Sequence, residues 1–161
     1  MAPMSPTQVS DTTSDPGAPD TNSWQRTASR AAHPSAVAPL LGPGDLLREI
    51  AAGMGGVTVP VGLDGTTPRR LTRDLVLTTP AYDVWVMHWP SGEAADLHAH
   101  ERFVAFHVVS GSIVEERYTG ADLERTSVAT GDTVVVPPGT PHRLISSAPT
   151  TTVHVHAKDL G

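Results

Sequence analysis

Gly92-Glu93-Ala94-Ala95-Asp96-Leu97-His98-Ala99-His100 and Gly131-Asp132-Thr133-Val134-Val135-Val136-Pro137-Pro138-Gly139-Thr140-Pro141-His142 decide how this chain is read. The first stretch carries two imidazoles one residue apart, and the second delivers a third after a turn of prolines and glycine. Strand side chains alternate with period two, so the spacing predicts the rings of His98 and His100 on one face. His142, arriving on a neighbouring strand, closes a facial set. Three neutral nitrogen donors suit Fe(II), Ni(II), Cu(II) or Zn(II). A three-ligand set also leaves coordination positions vacant, as catalytic rather than structural metal sites do. Singly, each of these residues reads as an ordinary surface or core histidine, and only the spacing of all three points to a metal.

Between these stretches, Gly111 in Ser110-Gly111-Ser112 separates the apolar run 103–109 from the strand-like run 113–118 and predicts a hairpin turn. Gly131-Asp132 is a second turn, and Pro137 to Pro141 end a strand and bend the chain before His142. The pattern predicts strands over 71–78, 82–89, 97–98, 103–110, 112–118, 123–128, 133–136, 142–146 and 151–156. Short strands at this spacing predict an all-β, double-sheet barrel of the jelly-roll kind with a mouth for a small ligand. Upstream, Gly44-Asp45 followed by Leu46, Leu47, Ile50 and Ala51 predicts a short N-terminal helix with Asp45 as N-cap, ending near Gly53. Two further groups of residues have side chains suited to a cavity. Arg73 alternates with Leu71, Leu75 and Leu77, which points its planar guanidinium, a two-point match for a carboxylate, toward the interior. Thr152, His154 and His156 alternate with Val153 and Val155 and therefore share one face of the last strand.

From Gly92 to Ser146 the two histidine stretches resemble the two signature motifs of the cupin family. The resemblance implies a small double-stranded β-helix barrel. Where that pattern carries a Glu after its His pair this chain has Val104, and where an Asn often follows the third His it has Ser146. A site of three imidazoles without the carboxylate keeps the full charge of its ion and favours an anionic ligand, of which a thiolate is the natural candidate.

Within the cupins the chain most resembles the cysteine dioxygenase, or thiol dioxygenase, family, over about residues 71–155. The matching stretches are Leu71-Thr72-Arg73-Asp74-Leu75-Val76, Tyr82-Asp83-Val84-Trp85-Val86-Met87-His88-Trp89, Leu97-His98-Ala99-His100, Pro141-His142-Arg143-Leu144 and Thr152-Val153-His154-Val155. The resemblance implies that His98, His100 and His142 hold Fe(II), with Ni(II) or another first-row divalent ion as the alternative. It implies that Arg73 pairs with a substrate carboxylate, and that Thr152, His154 and His156 occupy the places of a catalytic Ser-His-Tyr relay. His156 stands where the family has a phenol, and it differs in being shorter and in titrating near neutral pH. The chain contains no cysteine, so the Cys-Tyr cross-link of some family members is impossible here. The implied reaction takes a small thiol, L-cysteine first among them, and O2 to a sulfinic acid. The alternatives are a metal cupin giving a different or rearranged product, and a non-catalytic cupin that binds a small ligand.

Composition is compatible with one small domain. The first 36 of the 161 residues are rich in Pro, Ser, Thr, Ala and Asp, and they predict a disordered tail ahead of a single domain over 37–161. A net charge of -6 without a basic stripe argues against a nucleic-acid partner. No stretch has the length of a membrane span or the form of a secretion signal, so a cytoplasmic monomer or homodimer is expected. His88 and His107 read as core histidines, and His33 is given no role.

Overall fold

The computed structural model describes residues 41–58 and 68–159. The expected tail at 1–36 lies outside the described residues, as do 59–67 and the last two positions. Among the described residues one helix, α1 (Pro43–Gly55), precedes eight strands: β1 (Thr72–Thr78), β2 (Tyr82–Trp89), β3 (Val104–Ser110), β4 (Ser112–Thr119), β5 (Asp122–Ala129), β6 (Thr133–Val136), β7 (His142–Ser146) and β8 (Thr150–Ala157). They form a five-stranded sheet in the order β1-β2-β8-β3-β6 and a three-stranded sheet in the order β5-β4-β7, with all neighbouring strands antiparallel. This is the all-β, double-stranded β-helix architecture with one short helix. Among the described residues no helix is long and apolar enough to cross a membrane.

Period-two alternation sorts the large sheet into two working faces. Val84 and Val86 of β2, Ala105 of β3, and Val153 and Val155 of β8 are buried against Leu47 and Ala51 of α1. Their neighbours Met87, Trp89, Val104, Phe106 and Val108 turn the other way and form the inter-sheet core with Ile113, Val128, Val136 and Leu144. Once Val153 and Val155 are committed to the helix, Thr152, His154 and His156 must face the barrel interior. The helix itself begins earlier than the sequence suggested. Gly42 is the N-cap and Pro43 opens the first turn. Asp45 is the third helical residue, and its carboxylate accepts the Gly42 N–H at 3.1 Å.

Two expectations for strands are corrected. Residues 97–98 form no strand. The segment runs beside β7 through two isolated bridges, Ala94↔Ile145 and His98↔His142, and the register slips by one residue between them. That slip interrupts the ladder. The face expected around Arg73 also holds only in part. Leu71 packs on the inter-sheet core, but Leu75 and Leu77 are 49% and 38% exposed. β1 is an edge strand, and a bulge at Val76 shifts its pairing with β2.

The β3–β4 hairpin depends on Gly111. Its φ of +82° lies in the left-handed region, and a Cβ there would sit 2.5 Å from the Pro149 carbonyl oxygen and 2.9 Å from Thr150 Cα. Backbone atoms cannot rotate away as a side chain can. Gly111→Ala should therefore lower unfolding stability by roughly 2–4 kcal/mol, the sum of left-handed strain and overpacking. Chemical denaturation measures this, and a loss below about 0.5 kcal/mol, the range of ordinary surface substitutions, would contradict it.

Candidate metal centre

The Pro137-Pro138-Gly139 turn organises the site. Gly139, at a φ of +70°, donates its N–H to the His100 carbonyl at 2.8 Å, so the turn that aims His142 also anchors His100. His98 and His142 exchange backbone hydrogen bonds of 3.0 and 2.8 Å. The three rings converge with centroids 4.7 to 5.3 Å apart, and a ligand nitrogen from each lies within 4.8 Å of the others. His98 and His100 were expected to converge through strand alternation, but neither lies in a strand. A one-residue bridge and the glycine turn bring them together instead.

The second ring nitrogens set the first. His98 Nδ1 donates to the Asp96 carbonyl at 2.7 Å, and His142 Nδ1 donates to Glu115 Oε1 at 3.0 Å. A carbonyl or carboxylate only accepts, so each Nδ1 carries the proton and each Nε2 presents a lone pair. His142 Nε2 is buried and has no hydrogen-bond partner. A buried imidazole nitrogen without a partner demands an explanation, and an ion held with His98 and His100 supplies one. The donor set thus fits a first-row divalent metal. Burial, reinforced by repulsion from His156, His98 and His142, lowers the His100 pKa to about 4, which keeps that ligand neutral at physiological pH.

The rings open on a cavity of about 320 Å³. Arg73 reaches it from the edge strand, Trp85, Met87, Trp89, Ala95 and Leu144 form apolar wall, and His154 and His156 complete the lining. No carboxylate lines the cavity, and Arg73 has no ion-pair partner among the described residues. Every site residue picked out from the sequence, Arg73, His98, His100, His142, Thr152, His154 and His156, therefore lies in this cavity or directly behind it.

Behind the wall, Trp89 Nε1 donates to Thr152 Oγ1 at 2.9 Å, and Thr152 Oγ1 lies 2.9 Å from His154 Nε2. The indole can only donate, and among the described residues His154 Nε2 is the one acceptor in reach of the hydroxyl's own proton, a pairing that leaves the ring proton on Nδ1. His154 stacks on Phe106 with centroids 5.5 Å apart. Burial first, then the positive fields of neighbouring histidines and Arg73, holds His154 well below its ordinary pKa. His156 lies 5.1 Å from His100, ring to ring, and burial lowers its pKa against the opposing charge of Asp83.

Sequence reading missed Glu115 and Arg117. Glu115 is only 4% exposed and accepts from His142 and from Arg117 Nη2, which lies 3.0 Å from both carboxylate oxygens. Burial works to raise the Glu115 pKa, but these bonds outweigh it and leave the group lowered. On the opposite face of the same strand, Glu116 joins Arg125 and Arg143 across three strands in register. Alternation shows that Glu115 and Glu116 face opposite ways but not which one faces His142. His88 and His107 pair with the Thr151 and Thr133 hydroxyls rather than with backbone, outside the cavity lining.

These shifts give the fold an acid limit. His100, His107, His154 and His156 all have folded pKa values below the ordinary 6.5, with burial the first cause in each. Between the two values the unfolded chain binds more protons, so stability is complete above about pH 6.5 and is lost as pH falls toward 4. The lowered carboxyls of Glu115, Glu116 and Asp83 extend the loss below about pH 4.5. Melting temperature of the metal-free protein should be level from about pH 7 to 8 and decline steadily below about 6.5. A melting temperature unchanged down to about pH 5 would contradict these histidine environments.

Comparison with known proteins agrees with this architecture. Residues 85–156 match the family model described as Cupin domain. A cupin superfamily protein from Desulfitobacterium hafniense DCB-2 superposes with a TM-score of 0.54 at 12% identity, covering 63% of this chain and 90% of that one. An RmlC-like cupin from Shewanella frigidimarina NCIMB 400 gives 0.51 at 17% identity, covering 59% and 82%. An uncharacterized conserved protein with a double-stranded beta-helix domain from Klebsiella pneumoniae gives 0.50 at 26% identity, covering 58% and 76%. Comparison with curated proteins finds no match.

Proposed function

We propose, on the match of residues 85–156 to the Cupin domain family model and on the geometry of the site, that this protein is a non-haem iron thiol dioxygenase. Its substrate is a small aminothiol, L-cysteine first among candidates, and its product a sulfinic acid. One observation carries the reading: among the described residues, a single small cavity holds three convergent imidazoles and an unpaired guanidinium, with no carboxylate in its lining. Such a cavity selects a ligand with two anionic ends, a thiolate at the histidines and a carboxylate at Arg73.

Bound to His98, His100 and His142, Fe(II) supplies Lewis acidity that makes the thiolate accessible at neutral pH and a redox centre that makes O2 reactive toward sulfur. The chain supplies everything else. Arg73 fixes the carboxylate in two-point fashion and so sets where the sulfur lies. Trp85, Met87, Trp89, Ala95 and Leu144 exclude water. Thr152 fixes the His154 tautomer so that its Nδ1–H is the donor available to the reacting oxygen atoms. His156, a second neutral imidazole in the wall, takes the place of a phenol. The stoichiometry is RSH plus O2 to RSO2H: sulfur loses four electrons, O2 gains them, and both oxygen atoms finish on sulfur.

His156 also favours a second reading, another first-row metal or a rearranged product from a related thiol, because an imidazole delivers protons at a different pKa and reach. Oxygen consumption with L-cysteine, 3-mercaptopropionate and cysteamine, followed by product mass, separates the readings. The proposal expects one O2 per thiol and a product heavier by two oxygen atoms. Oxygen uptake with a different product supports the second reading. Full metal loading without uptake by any thiol leaves a ligand-binding cupin.

A further inference from the structure

We infer that Glu115 is the positioning residue that makes His142 a metal ligand. The inference rests on the reading of His98, His100 and His142 as one metal centre. β4 and β7 pair with Arg117 opposite His142, and period two brings Glu115 to the same face, two residues along. The carboxylate then lies behind the ring, 3.0 Å from Nδ1, while Nε2 lies buried and unpartnered toward His98 and His100. Arg117 Nη2 holds both carboxylate oxygens and also reaches the Val135 carbonyl at 3.3 Å, fixing the carboxylate in place. On its other side Glu115 lines an outer depression of about 270 Å³ with Arg48, Arg117 and Glu124, so the Glu115–His142 pair spans the barrel wall.

The chemistry differs from that of a carboxylate bound directly to the ion. Val104 occupies the position where a directly coordinating Glu would fall, and the ion keeps its full charge for an anionic substrate. Glu115 acts one bond network further out, forcing the Nδ1–H tautomer and raising the basicity of Nε2. Asp96 performs the first task for His98, but only with a neutral carbonyl.

Glu115→Gln tests this sharply, because Arg117 offers only donors and will take the amide oxygen. The NH2 then faces His142 Nδ1, favouring the opposite tautomer with the proton on Nε2. Glu116→Gln alters the neighbouring buried carboxylate of β4, which faces the opposite way and pairs with Arg125 and Arg143 instead of His142. Metal-free wild type, E115Q and E116Q are titrated with Co(II), with folding checked by circular dichroism. E115Q should bind Co(II) about 10–100-fold more weakly, and E116Q should differ from wild type by less than about threefold. Equal losses in both variants would reduce Glu115 to a structural ion-pair partner and overturn the inference, as would unchanged affinity in E115Q. If E115Q does not fold, the imidazole ¹⁵N shifts of His142 in metal-free wild type decide: an Nδ1–H tautomer supports the inference and an Nε2–H tautomer overturns it. Absence of Co(II) binding by wild type overturns the metal reading as well, whereas wild-type binding matched by E115Q overturns this inference alone.

Discussion

A His98→Ala protein should keep its fold and lose its metal. His98 is exposed, and its ring makes one bond to the protein backbone, through Nδ1 to the Asp96 carbonyl. Its removal should therefore change the melting of metal-free protein by no more than about 0.5 kcal/mol, as at an ordinary surface position. Losing a partner behind a metal ligand typically costs about 10–100-fold in affinity or activity. Loss of the ligand itself should cost more, on the order of 10³-fold in thiol-dependent oxygen uptake, with metal content falling in parallel. His142→Ala should lose both metal and stability, because it empties a buried site and leaves Glu115 buried with Arg117 as its remaining partner. Metal analysis after gel filtration, beside thermal melts, separates the two variants. Oxygen uptake retained by His98→Ala would show that the chemistry does not occur at these rings.

Arg73→Met should change which thiols are accepted. Arg73 lies on the exposed edge strand and has no acidic partner among the described residues, so its replacement costs the fold little. A charge-assisted, two-point contact with a carboxylate carries several kcal/mol, and its loss should lower kcat/KM for L-cysteine and 3-mercaptopropionate by about 10²-fold or more. Cysteamine has no carboxylate and should be affected by less than about threefold. Arg73→Lys should fall between, since an ammonium keeps the charge but lacks the planar fork. Equal losses for all three thiols would show that Arg73 shapes the cavity without reading a carboxylate.

The sequence told most about this protein where alternation and turn residues agreed. Strands 82–89, 133–136 and 142–146 appear with the expected limits, and Val153 and Val155 alone suffice to place Thr152, His154 and His156 inside. The convergence of His98, His100 and His142 was legible from spacing, although the reason they converge was not. A register slip and a glycine hydrogen bond are properties of paired backbones, and neither leaves a trace in one segment read alone. Arg73 was placed in the cavity by a face whose other members, Leu75 and Leu77, proved exposed, because the Val76 bulge and the edge position are decided by the pairing with β2. Glu115 was illegible for a related reason: two adjacent glutamates on one strand are equivalent until a neighbour fixes which faces inward, and β7 supplies that neighbour. Asp45 shows the same limit on a smaller scale, since an acidic residue in the first turn suits the N-cap and the third position alike.

The most direct test of this account is anomalous diffraction at the iron edge from crystals of iron-loaded protein. It predicts one strong peak per chain, about 2.0–2.2 Å from one ring nitrogen of each of His98, His100 and His142. A peak elsewhere, or none at these rings in fully loaded protein, would contradict it.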